Sequence, residues 1–164
     1  MLFRSDVSQE AGRQLVLAEV ARHGPALHLL VNNVGTNIRK PTTAYTPAEY
    51  QYLLATNLES AFGLCQGAYP LLRAAGGASI INVSSVAGLA HVRTGAIYGM
   101  SKAALIQLSR NLAVEWAPDG IRVNAVAPWY ISTPLAAPVL MYQGATALTR
   151  MPSGAHSTAR LRLS

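Results

Sequence analysis

The sequence has 164 residues, of which 51% are apolar, so the chain is long enough to bury one substantial core. Of its formal charge of +6, three charges lie in residues 136–164 and the rest are scattered, with no basic stripe interleaved with aromatic residues, which argues against a nucleic-acid partner. No apolar run reaches the roughly 18 residues of a membrane span, and the single cysteine, Cys65, excludes an internal disulfide and fits a reducing compartment, so we expect a cytoplasmic protein.

The first part of the chain predicts a strand, a helix and a second strand. A strand stub near residues 2–4 precedes a helix over about residues 8–23, in which Ser8 would be the N-cap and Glu10 would lie in the first turn. The continuous apolar run at residues 26–33 is typical of a buried strand.

The same alternation continues through the middle of the chain. A long helix is predicted over about residues 47–75, with Thr46 as N-cap and Pro47 at the first helical position. A strand at residues 78–85, a helix at about 95–117 and a strand at 121–128 follow. This rhythm predicts an α/β fold built on a doubly wound parallel sheet.

Three polar side chains are spaced so that they could share one site. Tyr98 and Lys102 are four residues apart and lie on one face of the predicted helix, and Ser85 ends the preceding strand. An ammonium about 4 Å from a phenol favours the phenolate by roughly 4 kcal/mol at an effective dielectric of about 20, which suits the tyrosine to acid–base work. The Ser85 hydroxyl could donate a hydrogen bond to a carbonyl oxygen. By itself, however, this tyrosine–lysine spacing is usually a core edge beside a solvated charge.

The surrounding motifs give the spacing more weight. The segments LHLLVNNVG (residues 27–35), ATNLESAF (55–62) and GIRVNAVAPWYISTPL (120–135) accompany Tyr98 and Lys102. Together they resemble the short-chain dehydrogenase/reductase family, and NNVGTNIRKPT with NAVAPWYIST is similar to its plant tropinone reductase-like group. The resemblance implies a Rossmann-type fold and an oxidoreductase that transfers hydride between NADP(H) and a ketone or secondary alcohol. The preference for NADP(H) over NAD(H) rests on the group alone.

Parts of the family pattern are absent. No Gly-x-x-x-Gly-x-Gly turn occurs, and the chain opens within what resembles the third family strand. We therefore expect residues 1–135 to form an incomplete domain that lacks the first two strands and the last, with the strand at residues 26–33 as an exposed edge. Residues 136–164 depart from the family and are expected to be a disordered or weakly helical tail. The alternative to an active enzyme is a catalytically inactive, truncated isoform.

The resemblance assigns four catalytic residues. Ser85 would polarise the substrate carbonyl, Tyr98 would protonate the developing alkoxide, and Lys102 would tune Tyr98 and bind the nicotinamide ribose. Asn57 would complete a proton relay, although a polar residue that merely kinks a long helix is the alternative. For Ser84, an ordinary strand-ending hydrogen bond to the backbone is the better interpretation.

Further residues resemble the cofactor-binding positions of the family. Asp6 would meet the adenine, although it could equally begin a helix. Asn32, Asn33 and Gly35 would lie near the adenosine ribose, and Asn32 would also tie the central strands together. The remaining positions, on the nicotinamide side, are Pro128, Ile131 and Thr133, with Trp129 in agreement with the tropinone reductase-like group.

Two further expectations concern partners and metals. Family members associate through the two long helices, so we expect a homo-oligomer or association with a full-length relative. The substrate would be a small carbonyl compound or alcohol that the sequence does not identify. No histidine pair has metal-ligand spacing, so no metal site is predicted.

Overall fold

A computed structural model describes residues 3–129 and a short strand at residues 159–161. The chain forms the predicted α/β fold, in which helices alternate with the strands of a parallel sheet. The helices are α1 (Glu10–His23), α2 (Pro47–Leu54), α3 (Ser60–Ala74) and α4 (Ala96–Glu115). The strands are β1 (Leu29–Asn32), β2 (Ala78–Val83), β3 (Ile121–Ala127) and β4 (Ala159–Leu161).

The sheet has the order β1-β2-β3-β4, with the first three strands parallel and β4 antiparallel to β3. β1 has a neighbour on one side alone within the described part of the sheet, as predicted for an exposed edge. Leu29 and Val31 are 52% and 49% exposed. The expectation of a fully buried strand is therefore wrong here, because these alternate residues belong to a sheet face that no described helix covers.

The core lies on the opposite face of the sheet. Residues of β2 and β3 that alternate along each strand, including Ile80 and Val123, are buried with side chains from α3 and α4. Cys65 of α3 is part of this core. The three parallel strands therefore end at one edge of a layered structure, where ligands of such folds usually bind.

The predicted long helix is present and contains a local irregularity. Thr46 caps α2 in a reciprocal capping box with Glu49, and Pro47 occupies the first helical position, as predicted. A π-helical segment, Ala55–Glu59, joins α2 to α3. Such an insertion of one extra residue in a helix is often found at functional sites.

The beginning of the chain differs from the prediction. The N-cap of α1 is Gln9 rather than Ser8, because the backbone N–H and the hydroxyl of Ser8 both donate to the Asp6 carboxylate. Residues 3–6 form no strand, and no described strand lies beside them to supply a partner.

The predicted tail, residues 136–164, lies outside the described residues except for β4, so its expected disorder stays a prediction. Within residues 3–129, no helix is both long enough and apolar enough to cross a membrane.

Candidate active site

The candidate site lies where β1 and β2 end. The loop after β1 carries Gly35, the turn after β2 carries Ser85, and the first turns of α4 carry Tyr98 and Lys102. Asn57 reaches the same region from the π-helical segment. The fold thus brings together side chains that are up to 67 residues apart in the chain, counted from Gly35 to Lys102 (102 − 35).

Lys102 is the buried charge of the site. Its side chain is 4% exposed, and Nζ donates a hydrogen bond of 2.9 Å to the backbone carbonyl of Val83. Burial lowers the pKa of Lys102 because desolvation disfavours the ammonium. No described carboxylate lies within ion-pair distance of Nζ, and an ammonium has three donors. Two N–H groups therefore remain for acceptors other than Val83.

Tyr98 lies one helical turn before Lys102 on the same face of α4. Lys102 Nζ lies 5.7 Å from the centroid of the Tyr98 ring, within the reach of a cation–π interaction. The Tyr98 ring is partly buried, and its hydroxyl forms no hydrogen bond with any described residue. The phenol is thus held beside a cation while its hydroxyl is free to contact a ligand.

The two neighbouring serines have different partners. Ser85 Oγ accepts a hydrogen bond of 3.1 Å from the Ala87 N–H, which leaves the Ser85 hydroxyl hydrogen without an acceptor in the described chain. Ser84 Oγ instead donates to the backbone carbonyl of Lys102 over 2.8 Å and is buried. Ser85 is therefore the serine that can donate to a ligand, and Ser84 bonds the backbone, although of α4 rather than of its own strand.

Asn57 is 1% exposed, and its amide is used by the protein itself. Its Oδ1 accepts from the Thr36 N–H at 2.7 Å, and its Nδ2 donates to the Thr36 carbonyl at 2.9 Å. Nδ2 also donates to Ser101 Oγ at 3.2 Å, and Ser101 in turn donates to the Tyr98 carbonyl at 2.8 Å. Asn57 therefore links the loop after β1 to the helix that carries Tyr98.

Gly35 lies directly against these groups. A Cβ atom at this position would lie 3.2 Å from Lys102 Nζ and 3.4 Å from Asn57 Oδ1. The absence of a side chain therefore keeps the approach to the Lys102 ammonium open.

Comparison with known proteins agrees with this geometry. A family model described as enoyl-(acyl carrier protein) reductase matches residues 1–157. The chain is 54% identical to senescence-associated protein 13 of Arabidopsis thaliana over 132 residues, and this match covers 80% of this chain and 49% of that protein. It is 60% identical over 114 residues to a tropinone reductase homolog of the same plant, which covers 70% of this chain and 43% of that protein. The chain belongs to the short-chain dehydrogenase/reductase family.

Solved structures show the same relationship. A gluconate 5-dehydrogenase from Burkholderia cenocepacia, in complex with NADP and tartrate, matches with a TM-score of 0.75 and 33% identity over 82% of this chain and 53% of that chain. The chain spans about half the length of the curated relatives it matches. The family and the Rossmann-type α/β fold that the sequence motifs predict are both confirmed.

The residues predicted on the cofactor side of this short-chain dehydrogenase/reductase are more dispersed. Asn32 Nδ2 donates to Asn82 Oδ1 at 2.8 Å and to Cys65 Sγ at 3.2 Å, so Asn32 ties β1 to β2 and α3. The Asp6 carboxylate is exposed and accepts from Ser8, and these hydrogen bonds lower the pKa of Asp6. Asn33, beside Asn32, is exposed in the loop after β1.

The nicotinamide-side positions are described only in part. The Pro128 carbonyl accepts a 3.2 Å hydrogen bond from the Val86 N–H, which places the end of β3 beside the Ser85 turn. Trp129 is 40% exposed. Ile131 and Thr133 lie outside the described residues. Within residues 3–129, no three potential metal ligands lie close enough together to hold a metal ion.

Sequence reasoning missed several members of the site. Ser101, beside Lys102, bridges Asn57 to the backbone carbonyl of Tyr98. Its position three residues after Tyr98 could have indicated this contact, because a serine hydroxyl in a helix can reach the carbonyl of the preceding turn. The Val83 carbonyl and the Thr36 peptide contribute backbone groups, which no residue identity reveals.

Proposed function

We propose that this chain provides the catalytic part of an oxidoreductase that transfers hydride between NADP(H) and a ketone or secondary alcohol, with Tyr98 as the acid or base. The observation that carries the proposal is the buried ammonium of Lys102 beside the Tyr98 ring, with Ser85 on the turn packed against the same helix. The Ser85 and Tyr98 hydroxyls each keep a hydrogen that no described residue accepts. Two donors beside a cation suit a site that stabilises negative charge developing on an oxygen atom.

The proposed reaction balances with these groups. The bound nicotinamide would supply a hydride to the carbonyl carbon or accept one from the alcohol carbon. In the direction of reduction, Ser85 donates a hydrogen bond to the carbonyl oxygen, and Tyr98 transfers its proton to that oxygen to give the alcohol. Lys102 stabilises the resulting phenolate by its charge. After reduction the Tyr98 phenolate regains a proton from solvent. In oxidation the phenolate accepts the proton of the alcohol.

The surroundings of Lys102 fit the ribose of a nicotinamide cofactor. Lys102 retains two N–H donors, and the bare backbone of Gly35 leaves room beside them for the hydroxyls of a ribose. NADP(H) is favoured over NAD(H) because the matched gluconate 5-dehydrogenase was solved with NADP. Asp6 would meet the adenine, and Asn32, Pro128, Ile131 and Thr133 would line the rest of the cofactor site. Asn57 would complete a proton-relay tetrad with Ser85, Tyr98 and Lys102.

We further propose that the protein associates through its long helices, with a second copy or with a full-length relative. Large apolar side chains are exposed on α2, α3 and α4: Tyr50, Tyr52, Phe62, Met100 and Val114. An open groove of about 320 Å³ between the starts of α2 and α4 adds apolar surface. Exposed apolar patches of this kind often mark interfaces. Met100→Arg should then lower the mass measured by light scattering, with Gln14→Arg, at an exposed site of α1, as the control.

The second candidate is a catalytically inactive protein that acts only through such association. The edge strand β1 favours it, because β1 has a neighbour on one side alone among the described strands and its Leu29 and Val31 are half exposed on a face that no described helix covers. The two candidates differ in cofactor binding.

The test is a titration of the purified chain with NADPH, followed by nicotinamide fluorescence and thermal unfolding. The enzyme proposal expects saturable binding and a raised melting temperature. It also expects Lys102→Met to weaken binding, whereas Lys40→Met, at the other lysine of the chain, does not. A cooperatively folded chain that does not bind NADPH would contradict the enzyme proposal and favour the inactive candidate.

A further inference from the structure

The turn that carries Ser85 is docked on the backbone of the residue that supplies the ammonium. A Cβ atom at Gly88 would lie 2.6 Å from the carbonyl carbon of Lys102 and 2.7 Å from the Ala103 nitrogen. Real Cβ atoms do not approach backbone atoms so closely. Because both sides of this contact are backbone, no side-chain rotation could relieve it, and the turn can pack here only with glycine at position 88.

A directed hydrogen bond reinforces the same contact. Ser84 Oγ donates to the Lys102 carbonyl at 2.8 Å, and Ser84 is 4% exposed. The other end of Lys102 is held too, since Nζ donates to the Val83 carbonyl. Residues at the end of β2 thus hold Lys102 by its peptide and by its ammonium. We refer to Ser84 and Gly88 as the Ser84–Gly88 clamp.

The clamp joins the turn that carries Ser85 to the helix that carries Tyr98. Ser85 is the residue between Ser84 and the 3-10 turn Val86–Gly88, and Ser85 Oγ is oriented by the Ala87 N–H of that turn. Tyr98 projects from α4 one turn before the clamped peptide. Any shift of the turn along or away from α4 therefore changes the separation of the Ser85 and Tyr98 hydroxyls.

We propose that the Ser84–Gly88 clamp is the positioning element that fixes Ser85 relative to Tyr98 and Lys102. Neither residue would touch the substrate or the cofactor. The expected effect on kcat rests on the proposed function, whereas the docking of the turn on α4 does not depend on it. Misplacement of reacting groups by about 1 Å can cost on the order of 100-fold in rate, so even a small displacement of the turn matters.

The sequence offers an unusually clean probe of the clamp. Lys102–Ala103 is the single Lys–Ala pair in the chain, because the other lysine, Lys40, precedes Pro41. Protein labelled with ¹³C-carbonyl lysine and ¹⁵N-alanine therefore gives one carbonyl–amide correlation, which reports the peptide that Gly88 touches and Ser84 bonds. The matched control is Gly77→Ala, since a Cβ atom at Gly77 would meet no atom within 4 Å.

The expected result is a displaced Lys102–Ala103 signal in Gly88→Ala and in Ser84→Ala, recovery in Ser84→Thr, and no displacement in Gly77→Ala. In turnover of a ketone with NADPH, Gly88→Ala should lower kcat on the order of 10- to 100-fold, with a much smaller change in KM for NADPH. Ser84→Thr should recover kcat relative to Ser84→Ala.

Two outcomes would overturn the positioning role. The first is a Lys102–Ala103 signal in Gly88→Ala at the same position as in the Gly77→Ala control. If Gly88→Ala does not fold, the same comparison is made with Ser84→Ala. The other is a displaced signal with kcat equal to that of the control. A parent chain that shows no turnover would count against the proposed function, and the labelled peptide would still decide whether the clamp holds the turn.

Discussion

Asn32 and Asn82 stand opposite each other on neighbouring parallel strands, and Asn32 Nδ2 donates to Asn82 Oδ1 at 2.8 Å. Asn82 Nδ2 continues the chain of hydrogen bonds to Ser109 Oγ at 2.8 Å, and Ser109 donates to the Leu105 carbonyl. A buried polar network therefore joins β1, β2 and α4 just below the candidate site.

This network should contribute to stability. Asn82→Ala would leave the Asn32 amide and the Ser109 hydroxyl without their shared partner, so we expect a loss of about 1–3 kcal/mol in the free energy of unfolding. Denaturant unfolding measures this, with the exposed Asn111→Ala as control. A loss for Asn82→Ala no larger than for Asn111→Ala would show that the network is not a stabilising unit.

Stability should depend on Lys102 at alkaline pH. Burial lowers the pKa of Lys102 from its ordinary value of 10.5. Just below that value the unfolded chain binds more protons than the folded chain, so the unfolding free energy should rise with pH. We expect Lys102→Met to lack this rise and Lys40→Met to keep it. Unfolding curves at several pH values up to 10.5 test the difference, and a rise of equal size in Lys102→Met would assign the effect to another group.

Stability at acid pH should depend on the Glu49 carboxylate in the capping box of α2. The Lys40 ammonium lies 2.6 Å from the Glu49 carboxylate, and this contact, with hydrogen bonds from Thr46, lowers the pKa of Glu49 to about 2. Because the pKa of Glu49 is lowered in the folded chain, its carboxylate stabilises the fold above pH 4.5, the ordinary pKa value. This contribution to the free energy of unfolding is lost as the pH falls from 4.5 toward about 2. Glu49→Gln should flatten this part of the melting-temperature profile, and salt should weaken the effect because the pair is partly exposed. An unchanged acid limb in Glu49→Gln would mean that other carboxylates dominate it.

Asn57 should act on the position of the loop after β1. Asn57→Ala removes both hydrogen bonds to the Thr36 peptide, so the loop that carries Gly35 should become mobile. We expect faster amide exchange at Thr36 and weaker NADPH binding. Asn111→Ala is again the matched control, and protection at Thr36 equal to the control would remove the basis for this role.

The local parts of the structure could be predicted from the sequence. Thr46, Pro47 and Glu49 carry the whole signal for the start of α2 within four residues, and the four-residue spacing of Tyr98 and Lys102 places them on one helical face. The prediction that Ser8 caps α1 is wrong because the backbone N–H and the hydroxyl of Ser8 both donate to the Asp6 carboxylate, and the helix begins one residue later. These hydrogen bonds depend on a loop conformation that composition does not reveal.

The remainder of the site depends on tertiary docking. The Val83 carbonyl beside Lys102 and the close approach of Gly88 to α4 arise only when the turn after β2 packs on the helix. A glycine in a turn has many explanations in a sequence, and a backbone carbonyl has no sequence signal at all. The exposure of Leu29 and Val31 likewise depends on whether a helix packs on their face of the sheet, which the apolar run of β1 does not reveal.

The proposed function depends on proton transfer by Tyr98 alongside hydride transfer from the nicotinamide. Single-turnover transfer of deuterium from C4-deuterated NADPH to a ketone tests this step, in the parent chain and in Tyr98→Phe, with NADPH binding measured for both. Phenylalanine keeps the ring beside Lys102 and removes only the hydroxyl. We expect similar binding and a rate lower by about 10²- to 10⁴-fold in Tyr98→Phe. Equal rates of transfer in the two proteins would contradict proton transfer by Tyr98.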